Sequence, residues 1–378
     1  MAHQYITLKN FRNLVDQKVS FSPFINIVNG KNGSGKSSLL ESLYYLSVGK
    51  SFRSAKLDTI VQHDTSAFTL FSLSSRRSSN SSSSSGRELS SNNEQQYRVG
   101  IERAKNTNAL IKVNGDFIRS ATQLANISPT LLVEPETFEL LDGGPNNRRR
   151  YMDWGVFHVE HNFSRAWKHY TKSLKQRNTL LRRGRIDRTE IAPWDAQMIK
   201  SSKWIDEYRR EYIVSLVPVI NEILSILNQS MDVDISYYRG WDKKTDYATV
   251  LGNVFDRDCK SGYSHQGPHR ADIRIKTGGR YADEVLSRGQ KKILIFAMIL
   301  AQGKILNDRL NRKSIYLIDD ISAELDTEHR KNLCSYLEGL ETQVILTVVD
   351  KASIFPYFSE GIEKRMFHVE HGKVSQVN

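Results

Sequence analysis

A glycine-rich loop between a predicted strand and a predicted helix constrains the fold of this chain more than any other feature. Residues 25–28 form a β-branched run, and after the loop leucines recur at helical spacing as far as Gly49. The loop follows the pattern G-x-x-x-x-G-K-S, in which glycines let backbone N–H groups turn toward a phosphate. Its residues, called the phosphate loop below, are Gly30, Lys31, Asn32, Gly33, Ser34, Gly35, Lys36 and Ser37. The sequence therefore predicts an α/β domain that binds a nucleotide.

Two residues of the phosphate loop have distinct predicted roles. Lys36 is expected on a solvent-facing loop, with its ammonium reaching the β- and γ-phosphates. The Ser37 hydroxyl is expected to ligate Mg²⁺. The positive end of the following helix dipole points at the same phosphates.

An acidic pair ends a second predicted strand. Residues 315–318 are apolar throughout, which is typical of a parallel strand buried on both faces. A carboxylate at Asp319 is costly there unless it has a partner, and Mg²⁺ shared with Ser37 supplies one. Asp320 is expected to orient or deprotonate an attacking water, so that Asp320 and Lys36 are the predicted catalytic residues. The alternative is that Asp320 only caps the next helix.

The segment Leu286–Gln290 precedes an apolar helix predicted from about Lys291. Ser287 offers a hydroxyl and Gly289 an unobstructed N–H at a helix N-terminus, where anions bind. Ser-x-Gly before a helix is also an ordinary cap. Its position shortly before the Asp319–Asp320 strand favours the anion-binding interpretation.

The composition favours a polyanionic partner. The formal net charge is +12, which indicates nucleic acid more strongly than a basic surface kept for solubility. The longest apolar run, residues 293–301, is too short to span a membrane, and the N-terminus lacks a signal-peptide core, so a cytoplasmic protein without a membrane partner is expected. Cys259 and Cys334 have no metal-like spacing.

Residues 74–96 are serine-rich and predict a disordered surface loop inserted between strands, although a serine-arginine tract could touch nucleic acid. Two antiparallel helices are predicted between about Asn162 and Asn228, with a break at Pro193. Basic residues along the first helix and its end would track a phosphate backbone, or merely form a solvated face. They are Arg165, Lys168, Lys172, Lys175, Arg182, Arg183, Arg185 and Arg188.

A pentapeptide, Phe-His-Val-Glu-His, occurs at residues 157–161 and again at 367–371. Two histidines around a glutamate suggest a metal site, but neither copy has the spacing of a zinc-binding helix, so this interpretation is not favoured.

The order of these motifs resembles that of the ABC-type ATPases: phosphate loop, Leu-Ser-x-Gly-Gln segment, apolar strand with Asp, then a loop at residues 322–326. The wide gap between the first two resembles the SMC-like DNA-repair branch. Over nearly the whole chain outside the serine-rich insert, the sequence is similar to the RecF family of bacterial recombination mediators. The further segments that carry this resemblance are Asn10–Asn13, Ser51–Arg53, residues 142–150 and residues 267–272.

The resemblance implies an α/β, ABC-type P-loop ATPase head built from both chain ends, residues 1–135 and 262–378, with a mainly helical lobe at 136–261. It implies a weak, DNA-stimulated ATPase with ATP and Mg²⁺ as cofactors. An ATP-dependent homodimer would clamp DNA, with Ser287 and Gly289 on the γ-phosphate bound to the opposite protomer and Asp326 at the dimer seam. The processes implied are recombinational repair, replication restart and the SOS response to DNA damage.

The implied partners are single-stranded DNA or single/double-strand junctions, and mediator proteins of the RecR type. Two positions depart from transporter relatives: Arg288 replaces a glycine, and Asp320 stands where Glu is common. Thr347 lies where many relatives place a histidine. Slow hydrolysis follows from the shorter Asp320. Arg148, Arg149 and Arg150 either contact DNA or brace the Leu286–Gln290 segment. The alternative functions are a DNA clamp for which ATP is only a switch, or the ATPase subunit of a nuclease or other ABC-type assembly, such as a transporter.

Overall fold

The computed structural model describes residues 1–77, 94–118, 121–183, 187–228, 231–321 and 325–377. The strands are β1 Ala2–Lys9, β2 Gln17–Ser20, β3 Ile25–Asn29, β4 Ala67–Arg77, β5 Glu94–Ala104, β6 Leu110–Val113, β7 Asp116–Ile118, β8 Thr130–Val133, β9 Asp234–Tyr238, β10 Asp272–Thr277, β11 Arg280–Tyr281, β12 Ile315–Ile318, β13 Val344–Val348, β14 Lys364–Glu370 and β15 Lys373–Val377. The α-helices are α1 Lys36–Val48, α2 Ala121–Ile127, α3 Glu139–Asp142, α4 Pro145–Val159, α5 Phe163–Leu181, α6 Arg188–Leu227, α7 Tyr247–Asn253, α8 Phe255–Ser261, α9 Ala282–Val285, α10 Arg288–Leu310 and α11 Thr327–Gly339.

The first of two compact units comprises Met1–Thr137, Ile226–Asn228 and Leu306–Asn378. It contains an antiparallel sheet in the order β2-β1-β4-β5-β6-β7 and a second sheet in the order β15-β14-β3-β13-β12-β8. In the second sheet the five strands from β14 to β8 are parallel. This order puts the carboxyl ends of β3, β8, β12 and β13 at one edge of the sheet, where ligands bind in open α/β sheets.

The core of this unit explains why its central strands carry so few polar residues. Strand β12 is buried at every position, as is β13. Helix α1 contributes Leu39, Leu40 and Leu43 to a cluster that also includes side chains of both sheets. Because parallel strands are covered on both faces, a continuous apolar run rather than alternation is required, as predicted for residues 315–318.

The second unit comprises Phe138–Ser225 and Gln229–Ile305. It contains the antiparallel sheet β11-β10-β9 and the helices α5, α7 and α8, together with most of α6. The predicted head included residues 262–305, which instead pack within this second unit. The reason is that β10 pairs with β9, while Arg148 of α4 holds Asp272 of β10 through two hydrogen bonds of 2.7 and 3.0 Å.

Two local predictions need correction. Residues 74–77 and 94–96 are paired strand residues of β4 and β5 rather than loop, while 78–93 lie outside the described residues. The second long helix begins at Arg188 and continues through Pro193, since a long buried face outweighs the one backbone hydrogen bond that proline removes.

The two copies of the pentapeptide have different structures. Residues 157–159 end helix α4, whereas residues 367–370 lie in strand β14. The β14–β15 hairpin itself was not predicted. Among the described residues, no group of three or more His, Cys, Asp or Glu side chains is placed to hold a metal ion. No helix within the described ranges is long and apolar enough to cross a membrane.

Candidate functional site

The phosphate loop joins the end of β3 to the start of α1. A Cβ on Gly30 would lie 2.4 Å from the Val369 carbonyl oxygen, so this position excludes a side chain. Gly35 has a φ of 120° and precedes the helix without a side chain to cap it. The first N–H groups of α1 therefore have no side-chain acceptor from their cap residue, which suits them to an anion.

Lys36 is more buried than the sequence predicted. Its side chain is 7% exposed, and its Nζ donates to the carbonyl oxygens of Gly30 at 2.6 Å and Lys31 at 3.0 Å. Burial lowers the pKa of Lys36, while the carboxylates of Asp320 and Asp319 oppose that change. The expectation of a solvent-facing lysine that supplies charge alone is therefore wrong. The ammonium also stabilises the loop through hydrogen bonds to two of its own carbonyl groups.

Ser37 contacts Asp319 directly, and Thr347, to which no role was assigned from the sequence, links Asp319 to Asp320. The Ser37 hydroxyl donates to Asp319 Oδ1 at 3.0 Å. The Thr347 hydroxyl of β13 donates to the same oxygen at 2.7 Å and accepts the backbone N–H of Asp320 at 2.8 Å. Adjacent parallel strands β12 and β13 thus fix the acidic pair beside the phosphate loop.

A second group around the loop was not identified as a site from the sequence. Glu41 of α1 is fully buried and accepts Arg12 Nε at 2.9 Å, Arg12 Nη2 at 2.6 Å and Ser51 Oγ at 2.6 Å. Arg53 Nη1 lies 3.7 Å from the same carboxylate. A charged residue in the apolar run of a predicted buried helix was the available signal, because such a charge requires partners.

Asn13 connects this group to the loop. Its amide donates to the Gly33 carbonyl at 3.3 Å, and its Oδ1 accepts the Ser38 hydroxyl at 2.8 Å. Phe11, fully buried against Tyr45 and Phe68 with ring centroids 6.3 and 5.2 Å away, anchors the same segment. A buried aromatic side chain therefore sets the position of the polar residues that follow it.

Glu134 follows β8 at the same edge of the sheet. Burial raises its pKa to about 8, helped by Glu136 and Asp319 and opposed by Arg53. An additional positive charge in this place would favour its ionised form.

Part of the phosphate loop, the acidic pair and part of the surrounding group line one cavity of about 650 Å³. From the predicted set it includes Asn32, Gly33, Gly35, Lys36, Ser37, Asp319 and Asp320. From outside that set it adds Arg12, Asn13, Arg53, Asp58, Thr59, His63 and Pro135, among others. Such a volume, polar lining and helix N-terminus can hold a phosphorylated ligand together with a divalent cation.

Ser287 and Gly289 belong to the second unit, where they begin helix α10. Gln290 Oε1 accepts the Ser287 N–H at 2.9 Å, and the Gln290 N–H is 3.3 Å from Ser287 Oγ, so the two residues form a capping box. Both Ser287 and Gly289 are exposed, and a Cβ on Gly289 would meet no atom within 4 Å. Packing within the chain therefore gives no reason for glycine at this position.

The remaining predicted residues have these places. Asp326 caps α11 by accepting the His329 N–H at 3.0 Å, and residues 322–324 lie outside the described residues, as does Arg185. Arg149 donates to the Ala271 carbonyl at 2.7 Å, so with Arg148 it braces the start of β10. Lys168, Lys172 and Lys175 are exposed on α5.

Comparison with known proteins places this architecture. The model of the RecF/RecN/SMC N terminal domain family matches residues 3–366. The DNA replication and repair protein RecF of Pseudomonas aeruginosa (strain UCBPP-PA14) is 42% identical over 371 residues, which cover 98% of this chain and 96% of that protein. The protein of the same name from Stutzerimonas stutzeri (strain A1501) is 39% identical and covers 100% and 98% of the two chains.

Solved structures agree with the family match. The recombination mediator protein RecF in the RecFOR pathway, solved with ATP, is similar with a TM-score of 0.84 at 25% identity, covering 100% of this chain and 98% of that chain. The Smc head domain of Pyrococcus furiosus, at 14% identity, has a TM-score of 0.57 with coverage of 100% and 96%, and shows the fold alone. The fold is thus an ABC-type ATPase head, as predicted, and the chain belongs to the RecF family within the RecF/RecN/SMC proteins.

Proposed function

We propose that this chain is an ATP-dependent DNA-binding protein of recombinational repair and replication restart. ATP binding would pair two copies around DNA, and slow hydrolysis would release it. The observation that carries the proposal is the hydrogen-bonded chain from Ser37 through Asp319 and Thr347 to Asp320, beside the phosphate loop. Ser37, Asp319 and Asp320 line the same cavity as Lys36, which supports a site that binds and hydrolyses a nucleotide.

The donor set suits Mg²⁺. The Ser37 hydroxyl and Asp319 Oδ1 are hard oxygen ligands 3.0 Å apart on two rigid elements. When bound, Mg²⁺ would supply neutralisation of the negative charge on the phosphates. Ser37 and Asp319 would hold it, and Thr347 would keep Asp319 oriented.

Lys36 and Asp320 would then have separate roles, in phosphate binding and in hydrolysis. The Lys36 ammonium already lies at the loop, where it donates to the Gly30 and Lys31 carbonyl oxygens. When ATP binds, it would donate to phosphate oxygens instead. Asp320 would align a water for attack on the γ-phosphate and accept its proton. Its side chain is one methylene shorter than that of glutamate, which supports weak ATPase activity.

Dimerisation is proposed from the signature segment, Leu286–Gln290. Ser287 and Gly289 are exposed at a helix N-terminus, and the open space over Gly289 leaves room for a phosphate from another molecule. Two copies would each close the partner's ATP site, with Asp326 at the seam. The relatives named for DNA replication and repair support DNA as the partner, as does the +12 charge. The similar solved structure of RecF in the RecFOR pathway supports mediator proteins of the RecR type.

The test compares Asp320→Asn with the parent chain. Light scattering should give a dimer mass with ATP for both proteins and a monomer mass with ADP or no nucleotide. Hydrolysis by the variant should fall by about 10²–10⁴, and its complex with DNA should persist in ATP. Turnover at the parent rate would show that Asp320 only caps, and a monomer in ATP would contradict the clamp.

A further inference from the structure

A second cavity lies within the second unit, between helices α5 and α6. It has a volume of about 510 Å³, within the range of about 300–1,000 Å³ typical of small-ligand sites. Two turns of α5 contribute Arg165 and His169, and successive turns of α6 contribute Lys200, Trp204 and Tyr208. None of these residues takes part in the ATP site proposed above.

The aromatic pair gives this cavity a flat wall. Trp204 and Tyr208, one helical turn apart, stack with ring centroids 6.1 Å apart and an interplanar angle of 25°. Trp204 remains 47% exposed, whereas Tyr208 is only partly exposed. A lone exposed tryptophan is common on protein surfaces. Here, however, it is held by a second ring and lines a cavity, so its orientation is set in advance.

The charges around the cavity select an anionic occupant. Arg165 and Lys200 line it, and its lining includes no carboxylate among the described residues. Burial raises the pKa of Tyr208, and Glu160, Glu207 and Glu211 raise it further. These three glutamates do not line the cavity. Arg165 also begins a stripe of exposed cations along α5 at helical spacing, namely Arg165, Lys168, Lys172 and Lys175.

We infer that Trp204 and Tyr208 form a stacking platform for unpaired bases of single-stranded DNA, with Arg165, Lys200 and the α5 stripe on the phosphates. An aromatic face beside a cationic track binds single strands because every unpaired base offers a π-face. Duplex bases are already stacked on one another and cannot enter such a cavity. An acidic protein surface is the alternative occupant, and binding of the two DNA probes distinguishes it. This inference rests on the proposed DNA binding and adds the form of DNA that this surface takes.

The experiment uses the full chain and two fluorescent probes, a short oligothymidylate and a blunt duplex of equal length, at one salt concentration. Trp204→Ala should weaken oligothymidylate binding by about 5- to 100-fold and change duplex binding less than about twofold. Trp204→Phe keeps a stacking ring and should retain most of the affinity. Phe117→Ala, at an aromatic residue of β7 that is 64% exposed, is the matched control and should change neither.

The outcomes separate this inference from the proposed function. If the parent binds duplex but not oligothymidylate, or if Trp204→Ala leaves oligothymidylate affinity unchanged, the platform is overturned while DNA binding stands. Equal losses on both probes, with Trp204→Phe no better than Trp204→Ala, also overturn it. Unchanged DNA affinity with lost binding of a mediator protein assigns the platform to that protein instead. A parent chain that binds neither probe contradicts the proposed function itself.

Discussion

Thr347 holds Asp319 through a hydrogen bond of 2.7 Å from the threonine hydroxyl to Oδ1, and its oxygen also accepts the Asp320 N–H. Thr347 is fully buried in β13, and Asp320 has a φ of 52°, in the left-handed region that non-glycine residues seldom adopt. One hydroxyl therefore fixes a carboxylate and an unusual backbone turn together. From the sequence, this position shows only a threonine where many relatives have a histidine.

Replacing Thr347 with valine keeps the shape of the side chain but removes the hydroxyl. The lost bonds should cost about 1–3 kcal/mol of stability, because the Asp320 N–H loses its acceptor. The Mg²⁺ affinity or the ATP turnover should fall by about 10- to 100-fold, as is usual when a partner that orients a metal ligand is removed. Magnesium titrations of turnover measure this, and Thr347→Ser should recover it. An unchanged magnesium dependence in Thr347→Val would leave Thr347 with a packing role only.

Gly289→Ala should affect the stability of the folded chain and its ATP-dependent dimerisation differently. Because a Cβ there meets nothing within 4 Å, the variant should be as stable as the parent, or more stable by up to about 1 kcal/mol. If the partner's γ-phosphate docks on this N–H, the same methyl group should weaken the ATP-dependent dimer. Thermal melting and light scattering give the two readings. If the variant dimerises like the parent, the γ-phosphate does not contact Gly289.

The exposed lysines of α5 should determine how DNA binding depends on salt. Each phosphate contact contributes about 0.9 to the slope of log affinity against log salt for duplex DNA, and about 0.7 for a single strand. Replacing Lys168, Lys172 and Lys175 with glutamate should therefore flatten that slope by up to about 3. The charge-matched control replaces three exposed lysines of the first unit, Lys9, Lys351 and Lys373. Equal effects of the two triple variants would mean that net charge alone is responsible.

Stability should fall in mild acid because of His269. Burial lowers its pKa to about 4, and its two nitrogens are occupied by the Tyr170 hydroxyl at 2.8 Å and the Ser264 carbonyl at 3.0 Å. Between about pH 6.5 and 4 the unfolded chain binds a proton that the folded chain does not, so stability rises with pH across this window.

The parent should therefore lose about 2 kcal/mol more than His269→Gln between pH 7 and 5, as measured by denaturant unfolding. His63→Gln, at an exposed histidine, is the control. His3, whose pKa burial also lowers to about 4, adds a similar dependence that neither variant removes. Parallel pH curves for parent and His269→Gln would contradict this account, since they would show that His269 takes up its proton as readily in the folded chain as in the unfolded chain.

The residues that could be singled out from the sequence are those whose chemistry is local. The phosphate loop carries its own spacing, and Asp319 stands out because an acid after Ile315–Ile318 needs a partner. Glu41 and Thr347 were not assigned because their partners lie on other elements. Glu41 meets Arg12 and Ser51, and Thr347 meets the end of β12, contacts that depend on which strands pair.

The repeated pentapeptide shows that a short sequence does not by itself determine secondary structure. Identical residues end a helix at residues 157–159 and form strand β14 at residues 367–370. In β14, pairing with β3 and β15 decides the conformation, since tertiary contacts outweigh intrinsic propensity. Residues 262–305 were misplaced for the same reason, because the pairing of β10 with β9 is not visible in spacing.

The central claim is that each ATP site is completed by Ser287 and Gly289 of a second copy. The most direct measurement is ATP turnover by an equal mixture of Lys36→Ala, which has a defective loop, and Ser287→Arg, which has a defective signature segment. Each variant alone should be inactive, although Ser287→Arg should still bind ATP. The mixture should regain turnover, because mixed dimers contain one site with an intact loop and an intact signature segment. A mixture no more active than the mean of the separate variants, with both folded, would contradict a site shared between two copies.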